Sequence, residues 1–340
     1  MLTDIKNILL YNSGGGVGDS LSIIPIIQWL KKECNLSKIY YIQNGIEKHF
    51  NNSLKDFDNG FVKTIDFLPE SYAFASLKRI KNYSHFLLSK KITESIGINK
   101  FDLILDTQTR VNNTLILKSI PHNYFVSPCA RFIFSNPKTL IFNSKNICGR
   151  IFDYFEKIQN TKLVIPTEIE NIPQKYTDES AKLFRKDKKY IGFSITGGNQ
   201  TRKKEFTMKT IKEVANYYSD KGYIPTFLIE KKYNNKISYI KENIKNAFFP
   251  EHLVEPKVKN PFLVMAIAKS LDSAISIDNG IMHMLGLAGT KTAVFFANNS
   301  TKFRPMNSNK LKIYSYLKGK NKKIEELTSN DVINFLGDFI

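Results

Sequence analysis

The chain has 340 residues, of which 42% are hydrophobic and 12% aromatic, and a formal net charge of +19. This composition excludes a disordered chain, and the length suffices for two domains that each bury a core. The charge suits nucleic acid, an anionic membrane or a phosphorylated substrate, but abundant lysine, Asn and Ile equally fit an AT-rich genome and solvated faces.

In chain order, the apolar runs "IKNILLY", "KIYYI", "FDLILDT" and "HNYFVS" predict strands in the first half, with a helix expected over 20–33. After a Pro-containing stretch of mixed charge the rhythm resumes. "KYIGFSIT", "IPTFLIE", "SAISID" and "KTAVFF" read as strands, separated by the helical "TMKTIKEVANYYSDKG" and "NPFLVMAIAKSLD". The tail "IEELTSNDVINFLGDFI" combines Ser and Thr capping candidates with an i, i+3, i+4 apolar pattern and predicts a docked terminal helix.

Such alternation is that of α/β domains with parallel sheets. The expected architecture is two Rossmann-like domains facing one another across a cleft: 1–165, a linker over 166–186, 187–325, and a C-terminal helix over 326–340. No apolar run reaches the ~18–20 residues of a membrane span, and the first residues lack the sections of a signal peptide, so the cytoplasm is expected. Cys34, Cys129 and Cys148 are odd in number and widely spaced without a CxxC, which suggests neither a disulfide framework nor a zinc site.

"YNSGGGVGDS", residues 11–20, lies between the first strand and the first helix. It satisfies neither G-x-G-x-x-G nor the phosphate-loop pattern. A carboxylate at the helix entrance, Asp19, is favoured by the helix dipole but would repel a phosphate. Two readings stay open for Asp19: an N-cap, or a base facing the cleft whose approach Gly16 and Gly18 keep open.

The anion site is expected in the second half. Residues 276–289, "SIDNGIMHMLGLAG", place Asp278, Asn279, Gly280 and His283 where a strand meets a helix, and unpaired N–H groups there suit a diphosphate. "SITGGNQTRKKEF", residues 194–206, combines Thr196, Gly197 and Thr201 with Lys204 on a loop that follows a strand. Hydroxyls, flexible backbone and cations together suit a phosphate.

These segments resemble the heptosyltransferase-like glycosyltransferases, family nine of the sequence classification. The likeness rests on "GGGVGDSLSIIPII", "FDLILDTQTR", "TGGNQTRKKEFT" and "IDNGIMHMLGLAGTKTAVFF", in the family's order through nearly the whole chain. The last is the most specific.

The resemblance implies the two-domain GT-B fold and an inverting, metal-independent transfer of a sugar, commonly heptose from ADP-heptose. The acceptor would be a lipopolysaccharide core or related glycan. It further implies that Asp19 is the base, that Lys204 neutralises the leaving diphosphate and that the 278–283 turn binds it. Glu230 falls where the family often has an acidic nucleotide contact. Asn279 for Thr, Ile281 for Pro and Phe206-Thr207 for Trp-Pro are departures that bear on the donor.

No cofactor beyond the nucleotide sugar is expected. The Asp56-Phe57-Asp58 triplet is too short a pattern to mark a metal site. Peripheral contact with anionic lipid at the inner face of a membrane is a further expectation. The alternatives are a family member with another donor or with a protein or capsule acceptor, a nucleotide-sugar epimerase on the same fold, and a non-enzymatic binding module. The last lacks the aromatic-basic interleaving of common RNA modules.

Overall fold

The computed structural model describes residues 4–12, 14–34, 38–43, 47–58, 60–65, 90, 92–94, 96–142, 146–197, 204–298 and 302–340. The chain divides into two compact units, Met1–Pro166 and Thr167–Ile340.

The first unit is built on five parallel strands, β1 (Asn7–Asn12), β2 (Lys38–Gln43), β3 (Val62–Thr64), β4 (Phe101–Asp106) and β5 (His122–Val126), in the order β3-β2-β1-β4-β5. In β1 and β4 nearly every side chain is buried, as a parallel sheet covered on both faces requires.

The helix expected over 20–33 is two helices, α1 (Val17–Ser22) and α2 (Ile24–Glu33). Pro25, in the first turn of α2, has no N–H to give to Leu21, so the ladder breaks at Ile23. Two further helices, α3 (Val111–Lys118) and α4 (Ile147–Gln159), complete the described layers. Trp29 of α2 is wholly buried against Phe152 and Phe155 of α4, at ring-centre separations of 5.4 and 4.9 Å.

The short strand β3 has no strong apolar run to announce it. Asp58 sets it up: its carboxylate accepts from the N–H of Gly60 (3.0 Å) and of Val62 (2.6 Å). Burial pushes this carboxyl above the usual range, although both hydrogen bonds and Lys31 pull the other way. The second aspartate of the Asp56-Phe57-Asp58 triplet is thus a loop staple.

The second unit repeats the plan with β6 (Lys189–Ser194), β7 (Tyr223–Phe227), β8 (Ser273–Ile277), β9 (Thr292–Phe296) and β10 (Leu311–Ser315). All are parallel, in the order β10-β9-β8-β6-β7. Its helices are α5 (Gln174–Ala181), α6 (Met208–Asp220), α7 (Asn234–Asn243), α8 (Pro261–Lys269), α9 (Gly280–Ala288) and α10 (Ser329–Leu336). The 166–186 stretch, expected as a connection, contains α5, whose Tyr176 stacks on Phe262 of α8. At the tail, Thr328 caps α10, and Val332 and Leu336 enter the core that α6 also lines. Edge strand β10 escapes the sequence pattern because none of its residues is fully buried.

All three cysteines are free and buried; burial pushes the thiols of Cys34 and Cys148 up to about 12. Among the described residues no helix is long and apolar enough to cross a membrane.

Trp29 tests this packing. The Nε1–H has no acceptor among the described residues, so the ring stabilises by burial alone. Trp29→Ala is expected to cost about 3–5 kcal/mol in urea unfolding, and Trp29→Phe much less, since Phe keeps most of the ring and removes the unpaired donor.

Candidate active site

In an open parallel sheet the connections leave in opposite directions at one point of the strand order, and the crevice there, at the C-terminal strand ends, is where ligands bind. In the first unit this point lies between β1 and β4, and in the second between β6 and β8. Nearly all the residues singled out from the sequence fall at these two places.

Beyond β1, Gly16 is the N-cap of α1, and Gly18 and Asp19 lie in its first turn. Asp19 is therefore not the N-cap: it stands three residues in and reaches back, its Oδ2 accepting from the Gly16 N–H at 3.2 Å. This is the return half of a capping box, with a glycine where the hydroxyl partner would be. Among the described residues Oδ1 accepts no hydrogen bond. Gly14 makes this placement feasible, because a Cβ there would lie 2.0 Å from Asp19 Cγ.

Two side chains that sequence reasoning missed hold the loop. Asn12, ending β1, donates through Nδ2 to the Asp19 carbonyl (2.9 Å), while its Oδ1 accepts from Gly14 N–H (3.3 Å) and Gln108 Nε2 (3.0 Å). Gln108 follows β4, so this amide pair spans the crevice. Its backbone N–H donates to Asp106 Oδ1 (2.8 Å), and Asp106, fully buried, also accepts through Oδ2 from Thr114 (2.7 Å) and Ser127 (2.8 Å). On the far side buried His49 holds the Gly15 carbonyl at 3.2 Å through Nε2. Only the "FDLILDTQTR" segment pointed this way, and without selecting a residue.

In the second unit Asn279 is the N-cap of α9. Its Oδ1 accepts from Met282 N–H (2.9 Å), and its Nδ2 donates to Ser194 Oγ (2.7 Å) and to the Thr196 carbonyl (3.0 Å). Thr in its place could cap but could not donate twice across the crevice. Gly280 and Ile281, at the first two helical positions, have N–H groups with no intrahelical acceptor, at the positive end of the dipole. His283 is buried in the same first turn.

Lys204 forms an ion pair with Asp278, both side chains being mostly buried, and so stands beside this helix end. Gly197 donates its N–H to Glu205 Oε1 (2.8 Å) and its carbonyl accepts from Tyr233 (3.0 Å), while Glu205 also pairs with Lys236 of α7. Glu205, Tyr233 and Lys236 are contacts the sequence did not single out. Together they tie Gly197 to the segment after β7 and to α7. Thr201 lies outside the described residues.

Thr196, Gly197, Lys204, Asp278, Asn279, Gly280 and His283 are thus gathered around one strand-end crevice. Glu230 lies on the segment after β7, where its carbonyl accepts from the N–H of Tyr233, whose hydroxyl reaches Gly197. The strand β7 ends at Phe227, three residues earlier, and the Glu230 carboxylate is 64% exposed and paired with Lys232 at 2.6 Å. Nearby Glu251 is a second acid: burial, and then the Glu230 charge, push its carboxyl up to about 7. Among the described residues no cluster of three or more His, Cys, Asp or Glu side chains could hold a metal.

The class that this fold and these crevices define is a two-domain α/β protein of Rossmann-like units. The family model described as "Glycosyltransferase family 9 (heptosyltransferase)" matches residues 89–333, and the chain belongs to that family. Among solved structures, a glycosyl transferase family 9 protein from Veillonella parvula DSM 2008 is similar at a TM-score of 0.67 and 14% identity, covering 100% of this chain and 98% of that one. The E. coli heptosyltransferase WaaC with ADP-2-deoxy-2-fluoro heptose is similar at 0.64 and 14%, covering 97% and 98%. The E. coli ADP-heptose lps heptosyltransferase II is similar at 0.63 and 12%, covering 98% of each chain. At these identities the likeness establishes the fold, which is GT-B. No curated protein sequence matches the chain.

Substitutions at two positions test the crevices. Asn279→Ala removes cap and bridge, whereas Asn279→Thr removes only the bridge. In unfolding measurements the Ala variant should be the less stable by about 1 kcal/mol, the worth of a cap. Gly14→Ala should displace the Asp19 carboxylate and break its bond to the Gly16 N–H, lowering stability in the same measurements.

Proposed function

We propose that the protein moves a heptose from ADP-heptose to a hydroxyl of a lipopolysaccharide core or related glycan, with inversion and without a divalent metal. The observation that carries this reading is the second unit's crevice. There a lysine ammonium, a helix start with unpaired N–H groups and a glycine-bearing loop converge on one place suited to a diphosphate.

Asp19 takes the proton from the acceptor hydroxyl as its oxygen bonds to the anomeric carbon. The bond from that carbon to the diphosphate breaks on the opposite face. The two units divide the work between acceptor and donor, which answers why a carboxylate follows a glycine loop. The capping contact from Gly16 uses one carboxylate oxygen and orients the other.

Negative charge gathers on the departing phosphate. Lys204, held by Asp278 at the start of α9, and the N–H groups of Gly280 and Ile281 stabilise it. A fixed cation and helix dipole supply what a metal supplies in other sugar transferases, and Asp58 spends both oxygens on backbone amides.

Thr196, Gly197 and Thr201 belong to the donor loop, and His283 braces the diphosphate turn. The reaction takes place in the cytoplasm, at the inner face of the membrane that carries the acceptor. A second reading keeps the reaction and changes the donor or acceptor. It is favoured by Glu230, whose exposure and pairing with Lys232 leave the nucleotide contact loosely set.

Asp19→Asn should lower transfer ~10²- to 10⁴-fold with nucleotide binding intact. Lys204→Ala should weaken ADP binding about tenfold or more, as loss of a charge-assisted hydrogen bond predicts. Calorimetry with ADP, UDP and GDP and their sugar conjugates, in the presence of a chelator, separates the readings. Selective ADP-heptose binding supports the first, and preference for another nucleotide supports the second. Conversion of the sugar nucleotide without any acceptor would make the protein an epimerase, and abolition of transfer by the chelator would overturn the metal-free mechanism.

A further inference from the structure

Between Asp106 and Asp153 the sequence contains no Asp or Glu, while Arg110, Lys118, Arg131, Lys138, Lys145 and Arg150 all stand in it. The chain's excess of positive charge is therefore unevenly spread, and the acid-free stretch carries a share that no opposite charge within it offsets.

The same stretch contains an unusual set of exposed apolar side chains. Ile133, Leu140 and Phe142 are 52%, 43% and 68% exposed, and Val111 is 46% exposed. From Lys138 to Phe142 exposure alternates, so that Lys138, Leu140 and Phe142 point outward while Thr139 and Ile141 are half-buried. This is the period of an extended segment lying on the unit with one face outward. That face is apolar with a lysine at its edge.

The backbone holds the patch in place. Ala130, Arg131 and Phe132 have φ of 46°, 58° and 70°, three successive side-chain-bearing residues in the left-handed region, where each costs roughly 1–2 kcal/mol. Such strain persists only where the surroundings fix it. Here Phe132 stacks on Tyr154 of α4 at 5.0 Å, and Tyr154 donates to the Pro137 carbonyl at 2.7 Å. The exposed Arg131 side chain then lies over the Phe142 ring, 4.6 Å from its centre, and Lys157 donates to the Leu140 carbonyl at 3.0 Å.

The left-handed turn that carries Arg131 is joined to the segment bordering the Asp19 crevice. The Cys129 thiol lies 3.5 Å from the Thr109 carbonyl, which sets Arg110 and Val111 beside the left-handed turn. Thr109 directly follows Gln108, which is tied to Asn12 and so to the Asp19 loop.

We propose that this face of the first unit, Ile133, Leu140 and Phe142 rimmed by Arg131 and Lys138, seats the enzyme on an anionic phospholipid surface. Large apolar side chains enter the headgroup boundary while cations meet lipid phosphates, the two-part attraction by which peripheral proteins hold to anionic bilayers. An acceptor anchored in the same bilayer would then present its head group beside Asp19. This extension rests on the glycolipid-acceptor reading for its purpose, but not for its test.

The test is co-sedimentation of the full chain with vesicles, without sugar nucleotide, so that its failure leaves the transferase reading standing. Vesicles containing phosphatidylglycerol should bind the protein, and phosphatidylcholine vesicles should not. Raising salt should weaken binding, each lipid-facing cation being worth about a five-fold change. Leu140→Ser/Phe142→Ser should weaken binding about ten-fold or more at an unchanged melting temperature, and Arg131→Gln/Lys138→Gln should do so without touching an apolar group. Absence of binding by the native chain, native-like binding by both double variants, or release by inorganic phosphate at constant ionic strength would overturn the proposal.

Discussion

Both sheets face one geometrical problem. Where the strand order reverses, the chain leaves neighbouring strands in opposite directions, and polar backbone is left at an open crevice. A bare, partly buried polar group there costs about 1–3 kcal/mol. Each unit meets this with an asparagine amide. Asn12 joins the turn after β1 to the one after β4, and Asn279 joins the turn after β8 to the one after β6. An amide donates and accepts at once without adding charge, so the crevice is closed electrically neutral and the charges placed in it retain their effect.

Those charges are few and specific. In the first unit the Asp19 carboxylate rests against glycine backbone while Asp106 is enclosed by hydrogen bonds, and in the second Lys204, paired with Asp278, lies beside a helix start. The acid and the cation belong to different units, so neither neutralises the other within its own domain. Lys204 is held by Asp278 instead, a mostly buried pair that keeps the ammonium at the helix end.

Much of this was readable beforehand. Alternating apolar runs marked eight of the strands, because core strands of a parallel sheet are buried on both faces and read as continuous hydrophobic stretches. β3 and β10 were not marked: a strand at the rim has little apolar content, and β3 depends on a staple from Asp58. The break at Ile23 follows from Pro25 and could have been foreseen. The residues that line the two crevices were found where a motif has a chemical type, such as a lysine near glycines. Asn12, Gln108 and Glu205 were not, since an amide or acid that binds backbone across a sheet has no local spacing to betray it. Asp19 shows the limit of spacing alone: one turn along a helix separates a cap from a residue that reaches back to the cap.

The amide of Asn279 is also a bond that water can cleave. It is followed by Gly280, whose missing side chain leaves the succeeding nitrogen accessible to attack on the side-chain carbonyl. Hydrolysis would exchange two donated hydrogen bonds for a carboxylate facing the oxygen atoms of Ser194 and Thr196, and would set a fixed negative charge at the start of α9. Two acceptors would lose their donor and face a like charge, so the second unit would be weakened at this crevice. Ageing of this molecule and loss of its stability would therefore begin at one and the same amide.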